Sequence, residues 1–309
     1  VNSIEKYFIN MQMNRRFSLP WLIALAALLP SLHSQAADIK PLQVVASFSI
    51  LADITREIAG DVAVVTSLVT ANADAHVFEP TPKDALRLKT ADLVVVNGLQ
   101  FEGWMDRLVK SSGYKGSVVV ATTGIKPRLV RTSADPHAWQ SLEHAQTYVK
   151  NIANALSHAR PDQAEAIAAR ASSYSQKLKT LDEDARAQLA AVPEAQRRVI
   201  TSHDAFAYLA EAYGIIFIAP QGWNTSSDAS ASTVAAAIRQ IKNKQARALF
   251  VENITDRRLI DRIAKETGVV VGGTLYSDAL SLPGTEADTY LKLYAHNLKQ
   301  LVTALRSKP

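Results

Sequence analysis

With 309 residues, 48% hydrophobic and 20% charged, the chain has the composition of a globular protein of one or two domains, which excludes a disordered or collagen-like chain. The formal net charge of +5 is dispersed: residues 1–36 carry Lys6, Arg15 and Arg16 against Glu5, and the remainder is only weakly basic. A nucleic-acid partner would need a clustered basic stripe, so none is expected.

The amino-terminal stretch reads as an export signal. Met13-Asn14-Arg15-Arg16 is a short basic region, residues 19–30 are an apolar run, and Ser34-Gln35-Ala36 puts small residues where a signal peptidase cleaves. The run is too short for a membrane-spanning helix, which needs about 20 apolar residues. Residues 1–12 read as an upstream extension of the reading frame, with Met11 and Met13 as alternative starts. Cysteine is absent, so an exported chain would fold on its core without disulfides, and no lipidation cysteine follows the apolar run. The expected location is the periplasm.

Residues 41–148 alternate apolar strands with amphipathic helices. Strands are expected at 42–48, 62–69, 92–97 and 117–121, and helices at 50–59, 82–90 and 101–111. The nearly continuous apolar run at 92–97 is typical of a strand buried on both faces. The scheme repeats later, with strands at 198–202, 215–218, 248–251 and 269–271, and helices at 206–213, 232–242, 257–267 and 289–305. Alternation of this kind predicts an α/β protein with parallel sheets flanked by helices.

The texture changes between the halves. Residues 161–191 contain no glycine, and Ile167, Ala171, Tyr174, Leu178, Leu181 and Ala185 follow steps of three and four, the stripe of one amphipathic helix. Pro161 suits its first turn and Pro193 its stop. A helical hairpin is the alternative, but no turn-forming residue interrupts the run. The expected division is therefore a signal peptide with its extension over 1–36, a first α/β lobe over 37–158, a connecting helix over 159–193, and a second α/β lobe over 194–309.

Histidines beyond residue 36 occur at 76, 137, 144, 158, 203 and 296. His76, His137 and His203 fall after the carboxyl ends of expected parallel strands, where open α/β sheets place ligands. His144, His158 and His296 lie in helical stretches and read as solvated. Asp278 follows the last expected strand. Three imidazoles and one carboxylate make a closed four-ligand set that suits Zn²⁺, here drawn from both halves of the chain. Glu252, at the end of a strand, is a candidate to orient a histidine by accepting its free ring N–H, with Asp204 and Asp135 as alternatives. Trp139 and Phe206 read as packing beside the site.

The segments Ala75-His76-Val77-Phe78-Glu79-Pro80-Thr81-Pro82, Asp135-Pro136-His137-Ala138-Trp139, Thr201-Ser202-His203-Asp204-Ala205-Phe206 and Tyr276-Ser277-Asp278 resemble the solute-binding receptors of zinc and manganese ABC importers, the cluster A-I or TroA-like family. The likeness runs from about residue 42 to 305. It implies two lobes bridged by a long backbone helix, one divalent cation in the cleft, and delivery to a membrane permease by a monomeric receptor. Manganese-associated members often carry Glu at the third ligand position, where this chain has His203. Zinc-specific members often carry a His- and acid-rich insertion before the second motif, and residues 127–135 hold none. Imidazole-rich sites favour Zn²⁺ over Mn²⁺ by the divalent affinity order, so zinc is the first expectation and manganese the second. A zinc hydrolase is the alternative from another class. Asp278 would fill the open position that catalytic zinc requires, and no His-Glu-x-x-His or Gly-x-Ser-x-Gly motif occurs.

Overall fold

A computed structural model describes residues 40–130, 132–243 and 246–306. The export signal expected over 1–36 lies outside the described residues. The first lobe runs β1 (Leu42–Phe48), α1 (Ser49–Ala59), β2 (Ala63–Val69), α2 (Pro82–Lys89), β3 (Leu93–Val96), α3 (Met105–Ser112) and β4 (Ser117–Val120). Its sheet has the order β2-β1-β3-β4, with parallel pairing throughout. The central strand β3 is buried at every residue, while the edge strand β4 exposes Val118 and Val120. Helix α2 starts sharply because Thr81 and Asp84 form a capping box and Pro82 occupies the first turn. That fixes where the preceding loop, which carries His76, must end.

A short antiparallel hairpin follows, β5 (Leu129–Val130) with β6 (Ser133–Ala134), and then α4 (Leu142–Ala159) and α5 (Ala164–Ala190). The second lobe is β7 (Arg198–Ile200), α6 (Ala207–Tyr213), β8 (Ile216–Ile218), α7 (Ala231–Lys242), β9 (Ala248–Glu252), α8 (Arg258–Thr267), β10 (Val271–Leu275) and α9 (Tyr290–Arg306). Its parallel sheet has the order β10-β9-β7-β8. Matching β7 to β1 and taking the strands in sequence, this is the same winding as the first sheet. Each lobe therefore has a switch point, between β1 and β3 in one and between β7 and β9 in the other, where successive connections leave in opposite directions and open a crevice.

The single helix expected between the lobes is α5, beginning at Ala164 because Pro161–Gln163 forms a 3₁₀ turn. Ile167, Ala171, Tyr174, Leu178 and Ala185 are buried, and Leu181 is partly so. At about 1.5 Å per residue the helix is roughly 40 Å long. It packs on α4 and α1 of the first lobe and on α6 and α9 of the second.

Two elements depart from the sequence expectation. The last strand is Val271–Leu275, not 269–271, and Val270 is exposed. Gly272 and Gly273 obscure the strand pattern, yet they let α9 approach. A Cβ at Gly272 would meet Phe250 at 3.0 Å and Ala304 at 3.2 Å, and Gly273 sits at φ +129°. Helix α4 is the second departure, a full helix over Leu142–Ala159 where the strand and helix pattern of the first lobe is expected to give way to the connecting helix. Through it, His144 is half-buried against the ring of Tyr208 at 5.2 Å, and on α9 His296 is half-buried with Nε2 3.0 Å from the Thr274 carbonyl. Of the three histidines read as solvated, only His158 is exposed.

Asp53 of α1 joins the lobes by accepting the backbone N–H of Tyr290, the first residue of α9, at 2.7 Å. Burial raises its carboxyl to about 6; the Tyr290 N–H opposes the rise and Glu57 and Asp288 add to it. A folded-state value above the unfolded 3.8 means the folded chain binds this proton more tightly. The stability it contributes is fully present below 3.8 and is lost as pH rises through about 6. Asp53→Asn, which can still accept the Tyr290 N–H, should gain on the order of 1–3 kcal/mol over the unaltered chain at about pH 7.5 and no such advantage near pH 4, measured by denaturant unfolding.

Candidate metal centre

His76, His137, His203 and Asp278 converge where the lobes meet, and one donor atom from each lies within 4.8 Å of every other. Asp278 Oδ2 is the common neighbour, 3.2 Å from His76 Nε2, 3.3 Å from His203 Nε2 and 3.6 Å from His137 Nε2. All four side chains are fully shielded, His76 included, although its backbone reaches the surface.

Each ligand candidate is delivered by local chemistry. In the loop after β2, the Asp74 carboxylate accepts the His76 backbone N–H at 2.8 Å. In the Asp135-Pro136-His137 turn, Asp135 Oδ1 accepts both the His137 backbone N–H, at 3.1 Å, and its ring Nδ1–H, at 2.8 Å. Arg128 holds the second Asp135 oxygen at 3.3 Å, and the Tyr208 hydroxyl of α6 donates to the Asp135 carbonyl at 2.9 Å. His203 stands beyond β7 and Glu252 ends β9, so the pair flanks the switch point of the second sheet. Glu252 Oε1 accepts the His203 backbone N–H at 2.8 Å, and Oε2 lies 2.6 Å from His203 Nδ1, close but not aligned as a hydrogen bond.

Anchoring Nδ1 of His137 and His203 on carboxylates turns both Nε2 atoms toward Asp278. Those Nε2 atoms, both His76 ring nitrogens and both Asp278 oxygens are buried with no hydrogen-bond partner among the described residues. Unsatisfied buried polar atoms cost about 1–3 kcal/mol each, and several at one point mark a ligand site rather than a packed core. Burial works against charge on the His137 ring, but Asp278 and Asp135 outweigh it and lift its pKa to about 9. His203 is likewise raised, burial being overcome by Glu252 and Asp278. Asp278 is held well below the ordinary carboxylate range, since His137 and His203 overcome the opposing effect of burial. The centre thus concentrates one firmly anionic oxygen among imidazoles, an environment that demands positive charge.

Aromatic rings wall it in. Phe48, Phe101 and Trp139 form a cluster with centroids 4.8–5.0 Å apart at the switch region of the first sheet. Phe101 also packs edge-on to His76 at 4.8 Å, and Trp139 to His137 at 5.2 Å. Trp139 does more than pack, because its Nε1–H donates to the Ser277 carbonyl at 2.9 Å. Phe206 stacks on Phe217 at 5.0 Å, as expected of a packing residue. Asp204 is half-buried, and its carboxylate takes neither of the ring contacts made by Asp135 and Glu252. Sequence reasoning missed Trp223, whose ring lies 6.3 Å from that of His76, and Thr225, whose hydroxyl donates to Asp74 across the lobes at 2.6 Å. Both sit in an irregular loop after β8 that carries no strand or helix signal.

Fold and site together define a two-lobed α/β protein with a buried three-imidazole, one-carboxylate cation centre between its lobes. A family model described as the zinc-uptake complex component A, periplasmic, matches residues 44–304. The iron-binding protein YfeA of Yersinia pestis is 36% identical over 277 residues, covering 88% of each chain. The manganese-binding lipoprotein MntA of Halalkalibacterium halodurans is 33% identical over 269 residues, covering 87% of this chain and 90% of its own. Among solved structures, the periplasmic zinc-binding protein TroA of Treponema pallidum superposes with a TM-score of 0.83 at 29% identity, over 87% of this chain and all of that one. The Mn-bound periplasmic metal-binding protein of Candidatus Liberibacter asiaticus gives 0.79 at 32% identity, over 86% of this chain and all of its own. The chain belongs to the TroA/ZnuA-like, cluster A-I family of ABC-transporter solute-binding proteins. It is a periplasmic metal-binding receptor of the ABC-import type, and nothing supports the hydrolase alternative, because the family is non-catalytic.

Glu252→Gln keeps an acceptor for the His203 backbone N–H but removes the charge beside its ring. Affinity for a divalent cation should fall about 10–100-fold, measured by competition with a chromophoric chelator. An unchanged affinity would leave Glu252 a structural residue only.

Proposed function

We propose that His76, His137, His203 and Asp278 are the ligands of one divalent cation per chain, Zn²⁺ first and Mn²⁺ second. Asp135 and Glu252 orient two of the imidazoles. The receptor, a monomer built of lobes 37–158 and 194–309 around the 159–193 helix, hands its ion to the permease of an ABC importer. The supporting observation is spacing. Ligand bonds of about 2.0–2.1 Å in a tetrahedron put donor atoms about 3.3–3.4 Å apart. The three imidazole nitrogens stand 3.2, 3.3 and 3.6 Å from Asp278 Oδ2. One ion at their centre would satisfy the buried donors together.

Manganese remains as a second reading on one observation. Asp278 Oδ1 is also buried without a partner and is available as a fifth donor, and Mn²⁺ favours more than four ligands with oxygen among them. Relatives named for manganese, iron and zinc fit a site whose donors do not dictate one ion.

Calorimetric titration of the exported chain should give one Zn²⁺ per molecule. His76→Ala, His137→Ala and His203→Ala should each weaken binding at least about tenfold, and His144→Ala should leave it within about twofold, roughly 0.4 kcal/mol. Equal losses at His144 and His203 would contradict the assignment. Binding near pH 7.5 should release at least one proton per ion, since a His137 imidazolium with a pKa of about 9 must deprotonate to coordinate. Titrations in buffers of different ionisation enthalpy measure that number. Affinity should fall steadily toward pH 5.

A further inference from the structure

Asp278 follows β10 of the second lobe, and second-lobe side chains hold its flanks, Asn297 on the Tyr276 backbone and Asn253 Nδ2 on the Ala279 carbonyl at 3.1 Å. Yet the peptide before the ligand and the turn after it are fastened to the first lobe. The Ser277 carbonyl, one peptide before the ligand, accepts from Trp139 Nε1 at 2.9 Å and from Gln140 Nε2 at 2.7 Å. Beyond the ligand, the Leu280 N–H donates to Ser49 Oγ at 3.0 Å and the Leu280 carbonyl accepts the Asn72 N–H at 2.9 Å. The far end of the loop is held by Asp53 on the Tyr290 N–H and by the Tyr290 hydroxyl, which donates to the Trp139 carbonyl. Trp139, Gln140, Ser49, Asn72 and Asp53 all belong to the first lobe.

The His203 loop is fastened differently. Its hydrogen bonds run to the Ile218 and Gly222 carbonyls, the Gln221 N–H and the Glu252 carboxylate, residues of the second lobe. His203 is therefore anchored on β7, β8 and β9, while the Asp278 peptide is anchored on the lobe that carries His76 and His137.

Taking the four side chains as the ligands, we propose that the centre is assembled as three plus one. His76, His137 and Asp278 form a tripod preassembled on the first lobe, and His203 is the one ligand carried by the second. Trp139 and Gln140 are positioning residues that hold the tripod's carboxylate by clamping the Ser277 carbonyl. The clamp is buried, with Ser277 and Trp139 at 0% exposure and Gln140 at 1%. Gln140 Oε1 is buried with no partner among the described residues, and the amide is held there by the hydrogen bond it donates to Ser277. Parting of the lobes then removes a single bond and leaves three protein ligands and an open position, the arrangement from which a metal exchanges readily.

The test compares Zn²⁺ binding to the whole exported chain and to His203→Ala, His137→Ala and Asp278→Ala by calorimetry, with Co²⁺ visible spectra read before and after adding millimolar imidazole. His203→Gln, which keeps the side chain's bulk, is run beside His203→Ala as a control on folding. Expected for both His203 variants is one ion per chain bound about 10–100-fold more weakly. For His203→Ala, free imidazole should restore both the affinity and the four-coordinate Co²⁺ spectrum. His137→Ala and Asp278→Ala should lose at least about a further tenfold and not be rescued. Gln140→Met, similar in size but without the donor, should weaken Zn²⁺ about tenfold and alter the Co²⁺ band, by the same factor whether or not His203 is present. If the His203 variants lose binding as completely as His137→Ala, or imidazole restores nothing, three plus one is wrong though the ligand assignment stands. If none of the ligand replacements weakens Zn²⁺, the assignment itself fails. A Gln140→Met chain with unchanged affinity and spectrum removes the clamp.

Discussion

The structure turns on one buried carboxylate. Asp278 has no exposed side-chain surface and no hydrogen-bond donor, yet it is held anionic, and the groups facing it are three imidazole nitrogens at 3.2–3.6 Å. An isolated charge in such a place is untenable, so positive charge must accompany it, as protons on the rings or as a metal ion among them. Competition between the two ties the receptor's affinity to pH. A protein that must seize a cation and later surrender it gains from this arrangement, because the centre is never satisfied by the polypeptide alone.

The rest of the fold can be understood as bringing four short loops to that carboxylate. Two sheets of the same winding each open a crevice at the carboxyl ends of their central strands. In the first lobe Phe48, Phe101 and Trp139 fill the crevice and make a dry, rigid backing for His76 and His137. In the second it stays polar, and His203 and Glu252 occupy it. Helix α5 packs on both lobes, and its continuous buried stripe makes it a stiff strut. Hydrogen bonds at Asp53 and Ser277 fasten the Asp278 loop to the first lobe, while those from Tyr208 to Asp135 and from Thr225 to Asp74 are discrete, breakable ties across the cleft. The contact between the lobes is thus specific at the centre and adjustable around it.

Much of this was legible in the sequence because parallel strands buried on both faces are continuously apolar, as at Leu93–Val96, and because ligands gather after strand ends. Position alone separated His76, His137 and His203 from His144, His158 and His296, and the structure brings the first three together with Asp278. What stayed hidden depends on tertiary contact. Gly272 and Gly273 read as strand breakers, but close packing of α9 requires them. His144 and His296 read as solvated because a helix pattern does not reveal what a neighbouring lobe or strand will cover. Gln140, Trp223 and the clamp on Ser277 join residues far apart in the chain, and no local pattern announces such pairs.

X-ray absorption at the zinc edge of the exported chain carrying one equivalent of Zn²⁺ reads the ligand set of the Asp278 centre directly. Three imidazole nitrogens and carboxylate oxygen at about 2.0–2.1 Å, with the outer-ring scattering typical of histidine, are expected. A first shell of oxygens alone, or one with fewer than two imidazoles, would contradict that ligand set.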